Sequence, residues 1–582
     1  MGNLIETEPP AGPANDPRIG HPGRPNTRRH DLDALRAVAM LLGICLHAFA
    51  AYAGTLWVVM DTYPNEALEK AISFIHGFRM QLFFLVSGFF TAMLVASRGV
   101  GGMVSNRAAR ILVPLLICVP TLIPLVKVVS LLAVTANAGH PQAPLFREIG
   151  LGDTAKVSAL LGQGPASLLE ETEKRLRMTP LAWAVTCESE PMTRLLLERG
   201  ADPMAVTRAG ENPLTLAAML GRLDLLKLLV EQGGDPLLPT GTGSTPWRAA
   251  QLGFAETRTT LWMARGKAPE DMDALERGRG EVIEYLDHLY RARGKVPEPI
   301  GATGPPEAVA RLPWWMREYF AWLASDQMVV SIGGTGINLV QENLFDHLWF
   351  LWWLWWLCLA YAGLCKVGGI TGLGWAVGKL GLYPSLAAAF GLTCCLQAFM
   401  RLDYHPRTLT FMVGADLSSG LIPKPHVFLY YMVFFLFGSV YHRLQDNECR
   451  LGRFWQLALP LGALGVFPLL YATAGDRFFN TILQALFTWL LVTGVIGLAH
   501  RMFRGESAWF RYLADSSYWM YLMHLPLVIL LQWQLFYIPL PALVKAALVL
   551  GVAVPVLLAS YALVVRHTVI GRILNGRNPP RA

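Results

Sequence analysis

Arg36 and His47 stand eleven positions apart in a stretch that is otherwise almost wholly apolar. On a helix that separation is about 16 Å along the axis, and eleven steps return close to the same face. A guanidinium binds phosphates and carboxylates through paired, charge-assisted hydrogen bonds. An imidazole takes up or gives away a proton near neutral pH. Both groups are costly inside a bilayer, so a cation near one surface and an imidazole deeper on the same face point first to function. The competing explanation is an arginine that snorkels to the interface and a histidine hydrogen-bonded within a bundle. Asp33 lies one turn before Arg36, too far along the helix to touch His47, so it is expected to pair with Arg36.

Other polar residues sit in similar settings. Arg107 and Arg110 precede an apolar run, where they suit an anionic ligand but also satisfy the usual basic bias of inner loops. His347 opens another apolar run, and Tyr521 and His524, three positions apart, share a helix face. Asp403 and His405 fall in a polar loop. Ser87 lacks the Gly-x-Ser-x-Gly elbow of a nucleophile, and Ser87-Gly88 reads as a place where helices approach closely. The eight cysteines suggest neither a disulfide framework nor a zinc site. No phosphate loop or dinucleotide fingerprint is present, so no metal and no bound cofactor are expected.

The elements that must position these residues are membrane helices. The chain has 582 residues, 53% hydrophobic and 16% charged, with a mean hydropathy of +0.38. That is too apolar for an ordinary soluble protein. Ten runs have the length and composition of spans: 34–52, 72–96, 111–134, 344–364, 380–399, 427–441, 454–472, 478–500, 517–537 and 539–565. Tryptophans crowd the start of the fourth run, as aromatic residues do at headgroup depth. The net charge of +7 is carried by arginines in short loops beside the runs. It therefore reads as an orientation signal and not as nucleic-acid affinity, and it places both termini in the cytoplasm. The fold class expected is all-α: a polytopic bundle of about ten transmembrane helices.

Residues 139–266 differ in character. Thr179-Pro180-Leu181, Asn212-Pro213-Leu214 and Thr245-Pro246-Trp247 recur every 33 residues, as do Gly200-Ala201-Asp202-Pro203 and Gly233-Gly234-Asp235-Pro236. This period and these anchors predict an inserted ankyrin-repeat solenoid of about four units, partial ones included. Gly253–Glu256 is read as continuing the third unit. The remaining divisions are a disordered tail over 1–28, a first membrane part over 29–138, a second over 341–568 and a basic tail over 569–582. Between insert and second membrane part, 267–340 holds a charged helix near 272–293, a linker, and an interfacial amphipathic helix at 312–323. Parity of the spans puts the insert outside the cytoplasm.

Five motifs in order make the chain resemble the acyltransferase 3 family of integral membrane acyltransferases, in the branch of the glucan-biosynthesis C-type proteins. They are Leu32-Asp33-Ala34-Leu35-Arg36-Ala37 with His47; Arg79 through Phe90; Arg107-Ala108-Ala109-Arg110-Ile111-Leu112-Val113-Pro114; His347-Leu348-Trp349-Phe350-Leu351; and Ser517 through Pro526. The ankyrin insert departs from the family pattern. The resemblance implies transfer of an acyl group, succinyl or acetyl in type, from acyl-CoA to a hydroxyl of a periplasmic or surface glycan, in a bacterial inner membrane. His47 then acts as general base, with an acyl-histidine intermediate left open. Arg36 and Asp33 complete the catalytic signature. Arg107, Arg110, Tyr521 and His524 line the donor path near the cytoplasmic end, and His347 serves the acceptor side. The insert is expected to hold a protein partner, or else the acceptor glycan, or only to cap the mouth of the active site. A non-enzymatic scaffold and a transporter are the alternatives; the intact Arg36–His47 pair speaks against the first, and the lack of an evident inverted repeat against the second.

Overall fold

In the computed structural model all ten apolar runs fall on helices. The residues described are 29–53, 57–61, 64–137, 143–173, 178–207, 210–240, 244–251, 271–296, 313–323, 329–332, 335–340, 343–367, 381–400, 413–503, 505 and 507–575. The tail 1–28 and the segment Gly253–Glu256 lie outside them. The protein is a multi-pass membrane protein: among the described residues eight helices are long and apolar enough to cross a bilayer. One of the eight, from Glu66 to Val134, has 69 residues, about 100 Å if straight against a hydrocarbon layer of about 30 Å. It is enough for two passes, α2 (Glu66–Arg107) and α3 (Val113–Asn137), after α1 (His30–Ala50). The run breaks at Gly99, whose φ of 70° suits glycine.

A π turn at Ala108–Leu112 joins α2 to α3, and its cause is Pro114. Proline has no N–H to give to the Arg110 carbonyl four residues back. The Val113 N–H bonds five residues back to Ala108, and the Tyr518 hydroxyl donates to the Arg110 carbonyl at 2.9 Å.

The insert stacks helix pairs: α4 (Pro144–Leu151) with α5 (Thr154–Gln163), α6 (Pro180–Thr186) with α7 (Glu190–Glu198), and α8 (Pro213–Met219) with α9 (Leu223–Glu231), followed by α10 (Pro246–Ala249). The repeated anchors are caps. Thr179, Asn212 and Thr245 each accept a backbone N–H three residues on, and the proline after each occupies the first helical position, where its missing N–H costs nothing. Asp202 and Asp235 each accept the N–H two residues on, which closes the turn between units.

The array does not end at 266. The charged helix α11 (Met272–Ala292) closes its open end. Val282 and Leu286 are fully buried in the array's core, and Arg279 Nε donates to the Met219 carbonyl at 2.8 Å. The Trp247 indole donates to Asp287 at 2.7 Å, and Arg293 pairs with Asp235 at 2.9 Å. A terminal unit with one polar face is what a solenoid needs to stop. Leu286→Ala should destabilise the array by about 2–4 kcal/mol, the usual cost of a leucine-sized cavity. Faster proteolysis within 143–296 of the full chain, with the bundle left intact, would report it; unchanged proteolysis would mean that α11 is not part of the array's cooperative core.

Helix α12 (Trp314–Leu323) buries Met316, Phe320 and Leu323 and leaves Trp314 and Trp315 exposed, as an interfacial helix does. A short antiparallel hairpin, β1 (Val329–Ile332) and β2 (Thr335–Asn338), is the one departure from helix among the described residues. The second membrane part comprises α13 (Trp349–Lys366), α14 (Leu382–Gln397), α15 (Pro425–Leu444), α16 (Trp455–Ala472), α17 (Arg477–Met502), α18 (Ala508–Phe536), α19 (Ala542–Val565) and the short α20 (Val569–Asn575).

Small residues and buried ion pairs lock the bundle. A Cβ on Gly88 would meet the Phe435 carbonyl, and one on Gly438 the Leu85 carbonyl, so α2 and α15 touch backbone to backbone. Asp61, between α1 and α2, pairs with Lys545 of α19 at 2.5 Å, and both side chains are almost wholly buried. At the other end of α1, Asp31 accepts from Arg29 twice at 2.9 Å and faces His500 of α17 at 3.0 Å.

Candidate active site

His47 sits in the last turn of α1, where backbone carbonyls lack partners within the helix. Gln532 of α18 supplies them: its Nε2 donates to the carbonyls of His47 at 2.8 Å and Ala48 at 3.2 Å. Its Oε1 accepts from the Trp57 indole at 3.0 Å. The Trp57 ring stacks on the His47 imidazole with centroids 5.4 Å apart. The imidazole is thereby fixed from behind, through its backbone, and on one face.

The hydrogen-bond chain then assigns its tautomer. His524 Nδ1 lies 2.6 Å from the Tyr521 carbonyl, which can only accept, so this nitrogen carries the proton. Neutral His524 therefore presents a lone pair at Nε2. His47 Nδ1, 2.8 Å away, donates to it. His47 Nε2 is left as a bare lone pair, with no partner among the described residues. That is the state a general base requires.

Proline again opens a carbonyl. Pro526 frees the Leu522 carbonyl four residues back, and His347 Nε2 donates to it at 3.0 Å. The Tyr521 hydroxyl donates to the His347 carbonyl at 2.5 Å. His347, in the turn Asp346–Leu348 ahead of α13, thus packs edge-on against His524 at 5.1 Å. Its buried Nδ1 has no partner among the described residues.

This geometry corrects the depth expected for Tyr521 and His524. They do not lie at the opposite end of the bundle from His47; His524 touches it. The expectation failed because the apolar run begins at 517, whereas α18 begins at Ala508. Nine extra residues add about 13 Å, which moves His524 to mid-helix. His347 does lie beside the same cluster, stitched to α18.

Arg36, Asp33, Arg107 and Arg110 stand apart from the histidines. Arg36 NH2 is 3.8 Å from Asp33, and the Arg36 side chain is 40% exposed. Arg107 donates to Thr91 at 2.9 Å and has a buried Nε without a partner among the described residues. Arg36, Arg98, Arg107 and Arg110 are close enough to repel one another, which makes this end of the bundle strongly cationic. Asp403 and His405 lie outside the described residues.

Trp57, Gln532 and Arg79 were not singled out from sequence. Gln532 had a signal: it is one of two amides, with Gln534, inside an apolar run. Trp57 follows the first run in a loop and had none. Arg79 appears only within the second motif; its guanidinium lies against Gly43 of α1.

Comparison with known proteins gives a consistent assignment. The acyltransferase domain family matches residues 29–144 and 306–564, on both sides of the insert. Ankyrin repeats, in three copies, match residues 145–240. Glucans biosynthesis protein C of Shigella dysenteriae serotype 1 is 39% identical over 98 residues, 17% of this chain and 26% of that protein. Its counterpart in Escherichia coli O1:K1 is 38% identical over 98 residues, with the same coverage. The chain thus aligns with about a quarter of the length of these curated relatives.

Proposed function

The chain belongs to the acyltransferase 3 family, and from that premise we propose that it is a membrane O-acyltransferase in which His47 is the general base. It takes an acyl group, succinyl or acetyl in type, from acyl-CoA and passes it to a hydroxyl of a periplasmic or cell-surface glycan. The observation that carries this reading is the unpaired Nε2 of His47, held by the His524 hydrogen bond and the Trp57 stack. The glycan as acceptor is suggested by relatives named for glucan biosynthesis.

The acceptor O–H gives its proton to His47 Nε2 as the oxygen attacks the thioester carbon. The tetrahedral intermediate expels the CoA sulfur as thiolate, and the proton on His47 passes to that sulfur. During the step His47 Nδ1–H stays bonded to His524 Nε2, so the imidazolium keeps its orientation.

The arginine end suits the donor. CoA carries phosphates, and guanidinium groups bind them in pairs. Arg36 is about 16 Å from His47 along α1, a distance for a flexible pantetheine arm to bridge. In this reading both termini and the arginine cluster face the cytoplasm of a bacterial inner membrane. The ankyrin insert faces outward as a docking module for a protein partner. Arg107→Ala should raise KM for acyl-CoA about tenfold and change kcat much less, because it removes ground-state binding of the donor. A fall in kcat with KM unchanged would move Arg107 out of the donor site.

The reading is tested with the full chain in bilayers, labelled succinyl-CoA or acetyl-CoA, and an oligoglucan. Ester-linked label on the glycan, dependent on the chain, is expected. Absence of glycan label with both donors, from protein that is folded and present, would sink it. In that event an effect of insert deletion alone on glycan modification in cells would favour a scaffold.

A further inference from the structure

We propose that Arg79 is the receptor for a negative charge on the acyl group itself, so that the site selects an acyl chain ending in a carboxylate, succinyl over acetyl. This rests on the acyl-donor reading above and deepens it.

Arg79 lies thirteen residues into α2 from Glu66, about 20 Å along the helix. Its guanidinium is held against α1: a Cβ on Gly43 would meet Arg79 NH1. Gly43 and His47 are four residues apart on α1, hence on one face and about 6 Å apart. A permanent positive charge therefore stands one helical turn from the imidazole. It is within electrostatic reach of His47, Cys45, Tyr431 and Tyr521.

Nothing among the described residues neutralises it. Arg79 NH2 faces the Met80 sulfur at 3.4 Å, a weak acceptor. Its Nε is buried without a partner. Two other cations of the bundle are matched by carboxylates, Lys545 by Asp61 and Arg29 by Asp31; Arg107, whose buried Nε also has no partner among the described residues, stands with the other arginines apart from the histidines. A guanidinium so placed is costly to keep unpaired, which argues that an anion joins it when the site is filled. Arg79 and His47 keep partial access, whereas Met80, Leu82 and Tyr521 are buried.

The dimensions select the anion. In a succinyl thioester two methylenes separate carboxylate and thioester carbons, about 4 Å. A charge-assisted hydrogen bond of about 2.8 Å adds to that. A carboxylate on Arg79 would hold the thioester carbon about one helical turn away, beside His47. The oxyanion of the intermediate is the other candidate. It exists only transiently, and would leave Arg79 unpaired in every resting complex.

The test measures binding of succinyl-CoA and acetyl-CoA to the purified full chain without acceptor. Wild type should bind succinyl-CoA at least about tenfold more tightly, as expected for a buried charge pair. Arg79→Gln should bring that ratio close to one, and Arg79→Lys should keep part of it. Equal affinity of wild type for the two thioesters overturns the proposal, as does a preference that survives in Arg79→Gln; the donor reading stands in both cases. Binding of neither thioester by wild type overturns the donor reading and this inference together.

Discussion

Alanine at position 47 should lower acyl transfer about a thousandfold or more, with the protein still folded and inserted. General-base assistance contributes roughly 10²–10⁴-fold, and among the described residues no second group has a free lone pair in the same place. His524 Nε2 is occupied by His47 Nδ1. His347 Nδ1 is unpaired, but its ring is set edge-on to His524 and tied to the Leu522 carbonyl. The alanine leaves α1 intact, since the bonds from Gln532 go to backbone carbonyls that alanine retains. His524→Ala should be costly too, because it frees the His47 imidazole to rotate and to take the other tautomer. The two losses should not add: once His47 is absent, His524 has nothing to orient. Initial rates for the two single variants and the double variant would decide this. Retention of more than a tenth of wild-type transfer by His47→Ala would remove the histidine from the chemistry. Simple multiplication of the two losses would mean that His524 acts by itself.

The second large effect concerns the ion pair just beyond the end of α1 that carries His47. Asp61→Ala should destabilise the bundle by about 3–5 kcal/mol, the range found when one partner of a buried pair is removed. Asp61 and Lys545 are 0% and 1% exposed, so neither charge can turn to water. Lys545 has only the Phe536 carbonyl, at 3.4 Å, as a further partner. The damage should reach the site, because the Asp61 N–H ties its loop to the Ala51 carbonyl and Trp57 lies four residues before it. Replacing both partners with apolar residues, Asp61→Leu with Lys545→Met, should recover much of the stability, since no charge is then left unpaired. Thermal inactivation of detergent-solubilised protein compares the two variants with wild type. Equal loss in the single and double variants would show that packing, not charge, dominates there.

Much of the fold was legible in the sequence. A bilayer obliges each apolar run to satisfy its backbone internally, so the ten runs could only be helices. The 33-residue anchors were legible because each is a local device, a side-chain cap on a helix start or an aspartate closing a turn. What escaped was less local. The charged segment near 272–293 has a polar face that resembles a free helix, and only its contacts with Met219, Trp247 and Asp235 join it to the array. Lys545 and Asp61 are 484 residues apart, and neither carries a mark of its partner.

The site divides in the same way. Sequence by itself determined that Arg36 and His47 share one face of one helix, and that Tyr521 and His524 share one face of another, because helical periodicity depends on spacing alone. It also determined where carbonyls would be open, since Pro114 and Pro526 remove specific donors. Only the tertiary structure decided that the second pair meets the first, and that His347 fills the carbonyl Pro526 leaves. Contact between helices depends on where each one starts and how deep it sits, and the nine mixed residues that lengthen α18 outside its apolar run carry no depth signal. The tautomer of His47 follows from that contact: one carbonyl at Tyr521 places a proton on His524, and through it leaves the lone pair on His47.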